Sequence, residues 1–167
     1  MCPSSQDSVA KTIDMSYGEL KKRRREDYGY ILEYRTRWSD NDMYNHMNNS
    51  IYNFLYDSIV NSYLIEHCGL HPPTSSQYGL VVHSHGDFLD SIAFPAVADL
   101  ALRVNKLGKS SVTYEIALFE RGVEEVKSVG EIIHVFVDRE TGRPAAQGMN
   151  ATIKEGLQKI FQPQSKI

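Results

Sequence analysis

The chain has 167 residues, of which 41% are hydrophobic and 23% charged, with a net charge of −3 at pH 7. This balance is typical of one globular domain with a sizeable core, and it argues against non-specific nucleic-acid binding. No apolar run approaches the roughly 20 residues that a membrane-spanning helix needs, so we predict no membrane span. The two cysteines, Cys2 and Cys68, are too few for a disulfide framework, which indicates a reducing compartment.

Composition along the chain predicts one domain with polar ends. We expect a polar, partly disordered extension over residues 1–27, a single domain over residues 28–162 and a tail over residues 163–167. The extension lacks the apolar core of a secretory signal. Because Asp7 and Asp14 also argue against a mitochondrial presequence, we predict a cytoplasmic protein.

The first predicted elements are a short helix and a strand. Ser16 and Glu19 have the spacing of a capping box, which predicts a helix that carries the basic run at residues 21–25. A solvated helix face is the simplest interpretation of that run, and a nuclear-import signal or phosphate-binding patch is the alternative. Residues 30–39 alternate aromatic or aliphatic with polar side chains, which predicts a half-buried strand.

A long helix is predicted over residues 51–68, which contain neither Gly nor Pro. Asn48, Asn49 or Ser50 can cap its start, and Gly69 can end it. Two adjacent apolar stripes run along it at four-residue spacing, which predicts that most of the helix is buried. The stripes are Ile51, Leu55, Ile59 and Tyr63, and Tyr52, Tyr56, Val60 and Leu64.

The remaining chain predicts an antiparallel sheet. Alternating or apolar runs predict four strands, over residues 78–89, 99–107, 112–119 and 127–138. Short connections between the last strands imply antiparallel neighbours. One strand, a long helix and four more strands make an α+β fold. A curved antiparallel sheet wrapped around the one long helix would bury both apolar stripes.

The loop at residues 40–49 holds two aspartates, a histidine and several asparagines between the first strand and the long helix. Polar side chains crowded in this way are costly to bury unless they pair or take part in chemistry. The helix that follows presents unpaired backbone N–H groups and the positive end of its dipole. Its start is therefore a suitable place for a carbonyl or an oxyanion.

The motif in this loop is D-x-D-x-x-N-H-x-N-N-x-x-Y, over residues 40–52. With it, the chain resembles the hotdog-fold acyl-CoA thioesterases of the 4-hydroxybenzoyl-CoA thioesterase type over residues 30–150, and also the acyl-carrier-protein thioesterases of plants. Later segments that share the likeness are residues 87–88, 108–111 and 138–143. Many family members have Gly where this chain has Asn45. Asn tolerates left-handed backbone better than other non-Gly residues, so we expect the loop to persist.

The resemblance implies hydrolysis of a thioester to free acid and coenzyme A, without a cofactor or a metal. It assigns Asp42 as catalytic base or nucleophile, with His46 and Asn48 positioning water or thioester, and Asn49 and Tyr52 contacting substrate. Each has a structural alternative. Asp42 can be a turn aspartate, His46 can bond a loop carbonyl, the asparagines can cap the helix, and Tyr52 can belong to the core.

The resemblance also implies partners. The substrate would be an acyl-CoA or acyl-carrier-protein thioester, and the chain would form a homodimer or homotetramer with sites at the interface. A single unit of this fold leaves a sheet edge open, and open edges are usually paired or blunted. Lys109, Ser110 and Ser111 are candidates for binding the coenzyme A phosphates, and exposed turn residues are the alternative.

Two rival functions remain at this point. The first is a metal enzyme of the cupin kind, with His83, His85, Asp87 and His134 as ligands. A cupin has no need of the long helix and leaves the polar loop unexplained. The second is a non-catalytic hotdog domain that binds acyl-CoA or a partner, since a fold does not by itself fix a function.

Overall fold

The computed structural model describes residues 17–163. Residues 1–16 of the predicted extension, which include the predicted capping residue Ser16, and residues 164–167 of the predicted tail lie outside the described residues. Within the described residues, helical structure at residues 17–20 is followed by two longer helices and five strands, with short 3₁₀ turns at Arg25–Asp27 and Trp38–Asp40. In chain order the elements are β1 (Tyr30–Arg35), α1 (Asn49–His67), β2 (Gln77–Phe88), β3 (Val97–Leu107), β4 (Ser111–Glu120), β5 (Val126–Asp138) and α2 (Ala151–Gln158).

The five strands form one sheet in the order β1-β3-β4-β5-β2. Every neighbouring pair is antiparallel, which confirms the α+β class with an antiparallel sheet. The hairpins β3–β4 and β4–β5 follow from short Gly-containing turns. β2 comes earlier in the chain but pairs with the last strand, so β1 and β2 form the two edges of the sheet.

Helix α1 packs against one face of the sheet, which we call the helix face. The side chain of Asn48 caps its start by accepting a hydrogen bond of 3.0 Å from the Ser50 amide. Seven of its residues are buried in the main core, and they belong to the two predicted stripes. Full burial of each such side chain contributes about 1.5–3 kcal/mol. The tyrosine hydroxyls also find partners, since Tyr56 donates to Ser128 Oγ and Tyr63 to the Gly156 carbonyl.

The opposite side of the sheet, the outer face, is covered in part, around Glu115, by the described part of the N-terminal extension. Helical structure ends at residue 20, so the basic run does not lie on the predicted helix face. Arg23 instead donates 2.8 Å and 3.1 Å hydrogen bonds to the buried carboxylate of Glu115. Arg103, Tyr28 and Asn105 donate to the same carboxylate. We call these five residues the buried ion cluster.

Helix α2 and the end of β1 differ from the sequence-based expectation. No element was predicted for residues 151–158, yet Asn150 caps α2 there, and Ile153 and Leu157 join the main core. The first strand stops at Arg35 rather than at residue 39, because the chain turns into the 3₁₀ segment there. Within the described part of the chain, none of the helices is long and apolar enough to cross a bilayer.

Candidate active site at the start of helix α1

Asp40 holds the polar loop in place through hydrogen bonds of its buried carboxylate. Its carboxylate is fully buried and accepts hydrogen bonds from the Arg37 amide, from the Arg37 guanidinium and from the Tyr34 hydroxyl. Burial by itself would raise the pKa of this carboxyl, but the Arg37 and Tyr34 hydrogen bonds outweigh it and hold the pKa below its usual value. Its own carbonyl accepts from the Asn48 amide at 2.8 Å, which ties the start of the loop to the start of α1.

Asp42 lies two residues further on, in a different environment. It is partly exposed, and its Oδ1 accepts the amides of Tyr44 at 2.8 Å and His46 at 3.2 Å. Its own amide donates to the His46 carbonyl at 2.8 Å. These bonds make a tight turn in which the carboxylate direction is fixed. Among the described residues Oδ2 has no hydrogen-bond donor, so this oxygen is available for chemistry.

Asn45 occupies the left-handed backbone region, with φ of 61°. Asn45 stands where many family members have Gly, and it adopts the left-handed conformation that Gly would permit. The loop therefore persists, as we expected from the sequence. A residue in this conformation allows the chain to reverse between Asp42 and His46. The Asn45 amide lies 3.4 Å from the Asp42 carbonyl, which marks the reversal. The departure from Gly therefore leaves the loop intact.

The first backbone N–H groups of a helix have no acceptor within the helix, but at the start of α1 most of them are bound by Asn48. Asn48 Oδ1 accepts from both the amide and the hydroxyl of Ser50, and the Asn48 carbonyl accepts from the Ile51 amide at 2.9 Å. Asn48 thus serves as the helix cap. Of the first three helical amides, only that of Asn49 has no acceptor among the described residues. Asn49 is therefore the backbone donor left for a ligand.

A cavity of about 530 Å³ opens beside this helix start. We call it the candidate cavity. Its lining comprises Asp42, His46, Met47, Asn48, Asn49, Tyr52, Phe88, Leu89, Asp90 and Ser91. Five of the predicted site residues, Asp42, His46, Asn48, Asn49 and Tyr52, thus meet at one place.

Tyr52 both lines the candidate cavity and belongs to the core. Its ring packs edge-on against Phe88 at 4.9 Å between centroids. Burial, reinforced by the Asp90 carboxylate, raises the pKa of Tyr52 to about 12. The hydroxyl therefore stays protonated at neutral pH and can donate a hydrogen bond into the cavity.

Residues 88–91 form a wall of the cavity that the sequence did not single out as part of the site. Asp90 brings a second carboxylate, which accepts a hydrogen bond of 2.6 Å from Lys127. The Lys127 side chain, followed by the Ser91 amide, holds the pKa of Asp90 below its usual value. A paired carboxylate of this kind is a poor base, whereas Asp42 forms no ion pair within residues 17–163. The feature of the sequence that could have indicated this wall is the end of the predicted strand near Asp87-Phe88, where the apolar strand pattern is interrupted.

Lys109, Ser110 and Ser111 do not reach the candidate cavity of their own chain. They lie in the β3–β4 turn and at the start of β4, where the Lys109 carbonyl accepts from the Met149 amide and the Ser110 carbonyl from the Phe136 amide. β3 begins near the polar loop, since the adjacent Ala96 carbonyl accepts from Thr36. β3 has eleven residues, so ten steps of about 3.3 Å place its two ends about 33 Å apart.

The cupin-like ligand set is not brought together. His134 lies on the helix face, packed edge-on against Tyr114 and Phe136 and almost fully buried. His83, His85 and Asp87 are paired in register with Ile133, Glu131 and Val129 of β5. These positions alternate with those that face α1, so the two histidines lie on the outer face. The metal-enzyme hypothesis with His134 as a ligand is therefore wrong.

Chemically, the candidate cavity combines a carboxylate oxygen, a helix-start amide and a protonated tyrosine hydroxyl. A carboxylate can accept a proton from water or attack a carbonyl carbon directly. An amide at a helix start and a hydroxyl can stabilise developing negative charge on an oxygen. This set suits attack on an activated carbonyl.

Comparisons with known proteins agree on one family and one fold. The family model of the thioesterase-like superfamily matches residues 36–158. The PA5185 protein from Pseudomonas aeruginosa is 40% identical, with a TM-score of 0.80, over 86% of this chain and 98% of that chain. No match is found among curated proteins.

Two more distant solved structures share the fold. The hypothetical protein SAV2348 from Staphylococcus aureus, solved in complex with CoA, is 16% identical, with a TM-score of 0.73, over 83% of this chain and 87% of that chain. A thioesterase superfamily protein from Jannaschia sp. CCS1 is 19% identical, with a TM-score of 0.70, over 78% of this chain and 81% of that chain.

Proposed function

Because the chain belongs to the thioesterase-like superfamily, we propose that it hydrolyses acyl-CoA thioesters to a free acid and coenzyme A. The observation that carries the proposal is the meeting of Asp42 and the Asn49 amide at one cavity. Among the described residues, Asp42 Oδ2 has no hydrogen-bond donor and the Asn49 amide has no acceptor. A general base and an oxyanion donor are the two groups that thioester hydrolysis needs.

In the proposed mechanism the thioester carbonyl lies against the start of α1. The Asn49 amide donates to the carbonyl oxygen and stabilises the oxyanion that forms during attack. Asp42 Oδ2 takes a proton from the attacking water, or attacks the carbonyl carbon itself and is then released by water. The carbon–sulfur bond breaks, and the coenzyme A thiolate leaves and is protonated. His46 and the Tyr52 hydroxyl position the water and the thioester.

Coenzyme A is the carrier we propose, and an acyl-carrier protein is the alternative. SAV2348, which shares the fold, was solved with CoA bound. Lys109 is exposed, and Ser110 and Ser111 beside it offer hydroxyl donors, a combination suited to phosphate groups. Since this turn lies far from the cavity of its own chain, we propose that it serves the cavity of a second copy.

We further propose the hotdog arrangement, in which the sheet curves around α1 and two copies join to complete the sites. The edge strand β2 supports this proposal. Its Leu80, Val81 and Val82 are exposed by 44%, 49% and 60%, and Phe88 by 52%. A long apolar edge strand of this kind is usually covered by another chain.

The first experiment measures free-thiol release from a panel of aliphatic and aromatic acyl-CoA thioesters. Asp42→Asn keeps the side-chain shape and removes the base, so we expect a rate loss of about 100-fold or more with an unchanged melting temperature. Glu140→Gln, an exposed carboxylate in the turn after β5, is the matched control and should retain the wild-type rate. An Asp42→Asn variant as active as the wild type would place the chemistry elsewhere.

The same panel separates the second candidate function, an acyl-CoA-binding domain without turnover. In that case neither the wild type nor Asp42→Asn releases thiol, yet acyl-CoA raises the melting temperature of both.

The homodimer is tested by Val82→Lys, which places a charge on the open edge of the sheet. We expect sedimentation to show a monomer and thiol release to fall, and a fully active monomer would contradict the shared site.

A further inference from the structure

Three side chains with metal-binding atoms meet on the outer face of the sheet, on the side opposite α1. His83 and His85 lie two residues apart on β2, and Glu131 on β5 is paired in register with His85. One ligand atom from each residue lies within 4.8 Å of the other two. Both histidines are exposed and Glu131 is half-buried, so the group is open to solvent.

The distance between the two imidazoles matches that of two ligands of one ion. His83 Nε2 lies 3.3 Å from His85 Nδ1. A tetrahedral zinc ion with zinc–nitrogen bonds of about 2.0–2.1 Å holds two nitrogens about 3.3–3.4 Å apart. The long side chain of Glu131 can close the remaining gap by rotation about its own bonds.

Asp87 provides an independent observation at the same site. Its Oδ2 lies 3.9 Å from His85 Nε2, the ring nitrogen on the other side from His83. Metal-binding histidines usually donate their second ring N–H to a carboxylate, which fixes the tautomer and the ring direction. Asp87 lies on the side of the His85 ring where such a partner belongs, and a small rotation of its side chain would bring it into hydrogen-bond range of His85 Nε2.

A bulge in β2 contributes to this arrangement. The register shifts between Val81 and His83, and His83 is then paired with Ile133, two residues from Glu131 on the same face. Bulges often redirect side chains in edge strands. Here the bulge lies directly before His83, and strand alternation then puts His83 and His85 on the same face as Glu131.

We propose that His83, His85 and Glu131 bind one Zn²⁺ ion, with Asp87 as the positioning residue for His85. Two imidazoles and a carboxylate are a ligand set suited to zinc. Three protein ligands leave a fourth position for water or for a group from another molecule. The ion joins the edge strand β2 to β5 on the face opposite the candidate cavity, so it takes no direct part in the proposed hydrolysis.

The test is calorimetric titration of Zn²⁺ into metal-free protein without an affinity tag. Cys2 lies outside the described residues and also carries a zinc-binding thiol, so a Cys2→Ser background removes that competitor. We expect about one ion per chain and a higher melting temperature with zinc, because the folded state binds the ion. Co²⁺ gives a second readout, since tetrahedral Co²⁺ absorbs visible light strongly.

Variants distinguish this site from adventitious binding. His83→Ala and His85→Ala should abolish the calorimetric signal and the Co²⁺ band, and Asp87→Asn should weaken zinc binding about 10–100-fold. His71→Ala, an exposed histidine in the loop after α1, is the matched control and should bind as the wild type. Wild-type protein without zinc binding, or His83→Ala with unchanged binding, would show that the two histidines are only hydrogen-bonded to each other.

Discussion

Two polar clusters of this molecule, each built around a carboxylate, are organised in opposite ways. In the buried ion cluster, Glu115 is enclosed and accepts from Arg23, Arg103 and other donors. In the candidate cavity, Asp42 is partly exposed and keeps one oxygen without a donor among the described residues. The first arrangement holds the N-terminal extension on the sheet. The second arrangement leaves a carboxylate oxygen of Asp42 available for reaction. The extent of hydrogen bonding and ion pairing therefore distinguishes a structural carboxylate from a candidate catalytic one.

The same contrast exists within the polar loop. Asp40 and Asp42 are two residues apart, and both belong to the motif. Asp40 is fully buried with an arginine and a tyrosine as partners, whereas Asp42 faces the cavity. Asp40 therefore supports the loop that presents Asp42.

The largest effect on stability is expected from Glu115→Ala. Removing this carboxylate leaves Arg23 and Arg103 without their main partner, and breaking a buried ion pair in this way costs about 3–5 kcal/mol. Urea unfolding should show the loss, while thiol release from the folded fraction stays close to the wild type. If Glu115→Ala instead abolished turnover in folded protein, the division between structural and catalytic carboxylates would be wrong.

Acid should destabilise the protein in two separate ranges. Burial lowers the pKa of His134 to about 4, so between about pH 6.5 and 4 the unfolded state binds a proton that the folded state does not. The free energy of unfolding then falls by at most about 1.4 kcal/mol per pH unit from this group. Although burial opposes it, the Arg23 hydrogen bond and the Arg103 charge lower the pKa of Glu115 to about 2. The contribution of Glu115 to the free energy of unfolding is complete above about pH 4.3 and is lost as the pH falls toward about 2.

His134→Phe tests the upper range. Both ring nitrogens of His134 are buried without a hydrogen-bond partner among the described residues, so an aromatic ring of similar shape should be tolerated. Unfolding measured from pH 7 to pH 4 should lose its slope in the variant. A slope that persists unchanged would assign the upper range to another group.

The smallest effect is expected from Asn48→Ala, which removes the helix cap at the candidate cavity. Loss of such a cap costs about 1 kcal/mol. Asn150→Ala is the matched control, because Asn150 caps α2 in the same way, accepting from Thr152 at 2.9 Å. Both variants should lose similar stability in urea unfolding, but only Asn48→Ala should also lower thiol release. Equal rates for the two variants would limit Asn48 to a capping role.

The sequence by itself determined the elements whose signal is local. The long helix is found at Asn49–His67, against a prediction of residues 51–68 with a cap among residues 48–50. The last strand is found at Val126–Asp138, within one residue of the prediction. Side-chain periodicity, helix caps and turn residues act over a few neighbouring positions, so they can be interpreted without the fold. The likeness of residues 40–52 to a known motif likewise located the candidate site.

The tertiary structure alone decided which polar groups are paired and which faces are covered. β5 presents Ile132 and Phe136 to α1, whereas its more obvious valine stripe begins with Val129 on the outer face. Glu115 lies 92 residues from Arg23, and Asp42 lies 48 residues from Asp90 on the opposite wall of the cavity. Contacts across such separations depend on how the strands are ordered in the sheet. Burial and charge pairing follow from that order, and no local pattern in the sequence encodes it.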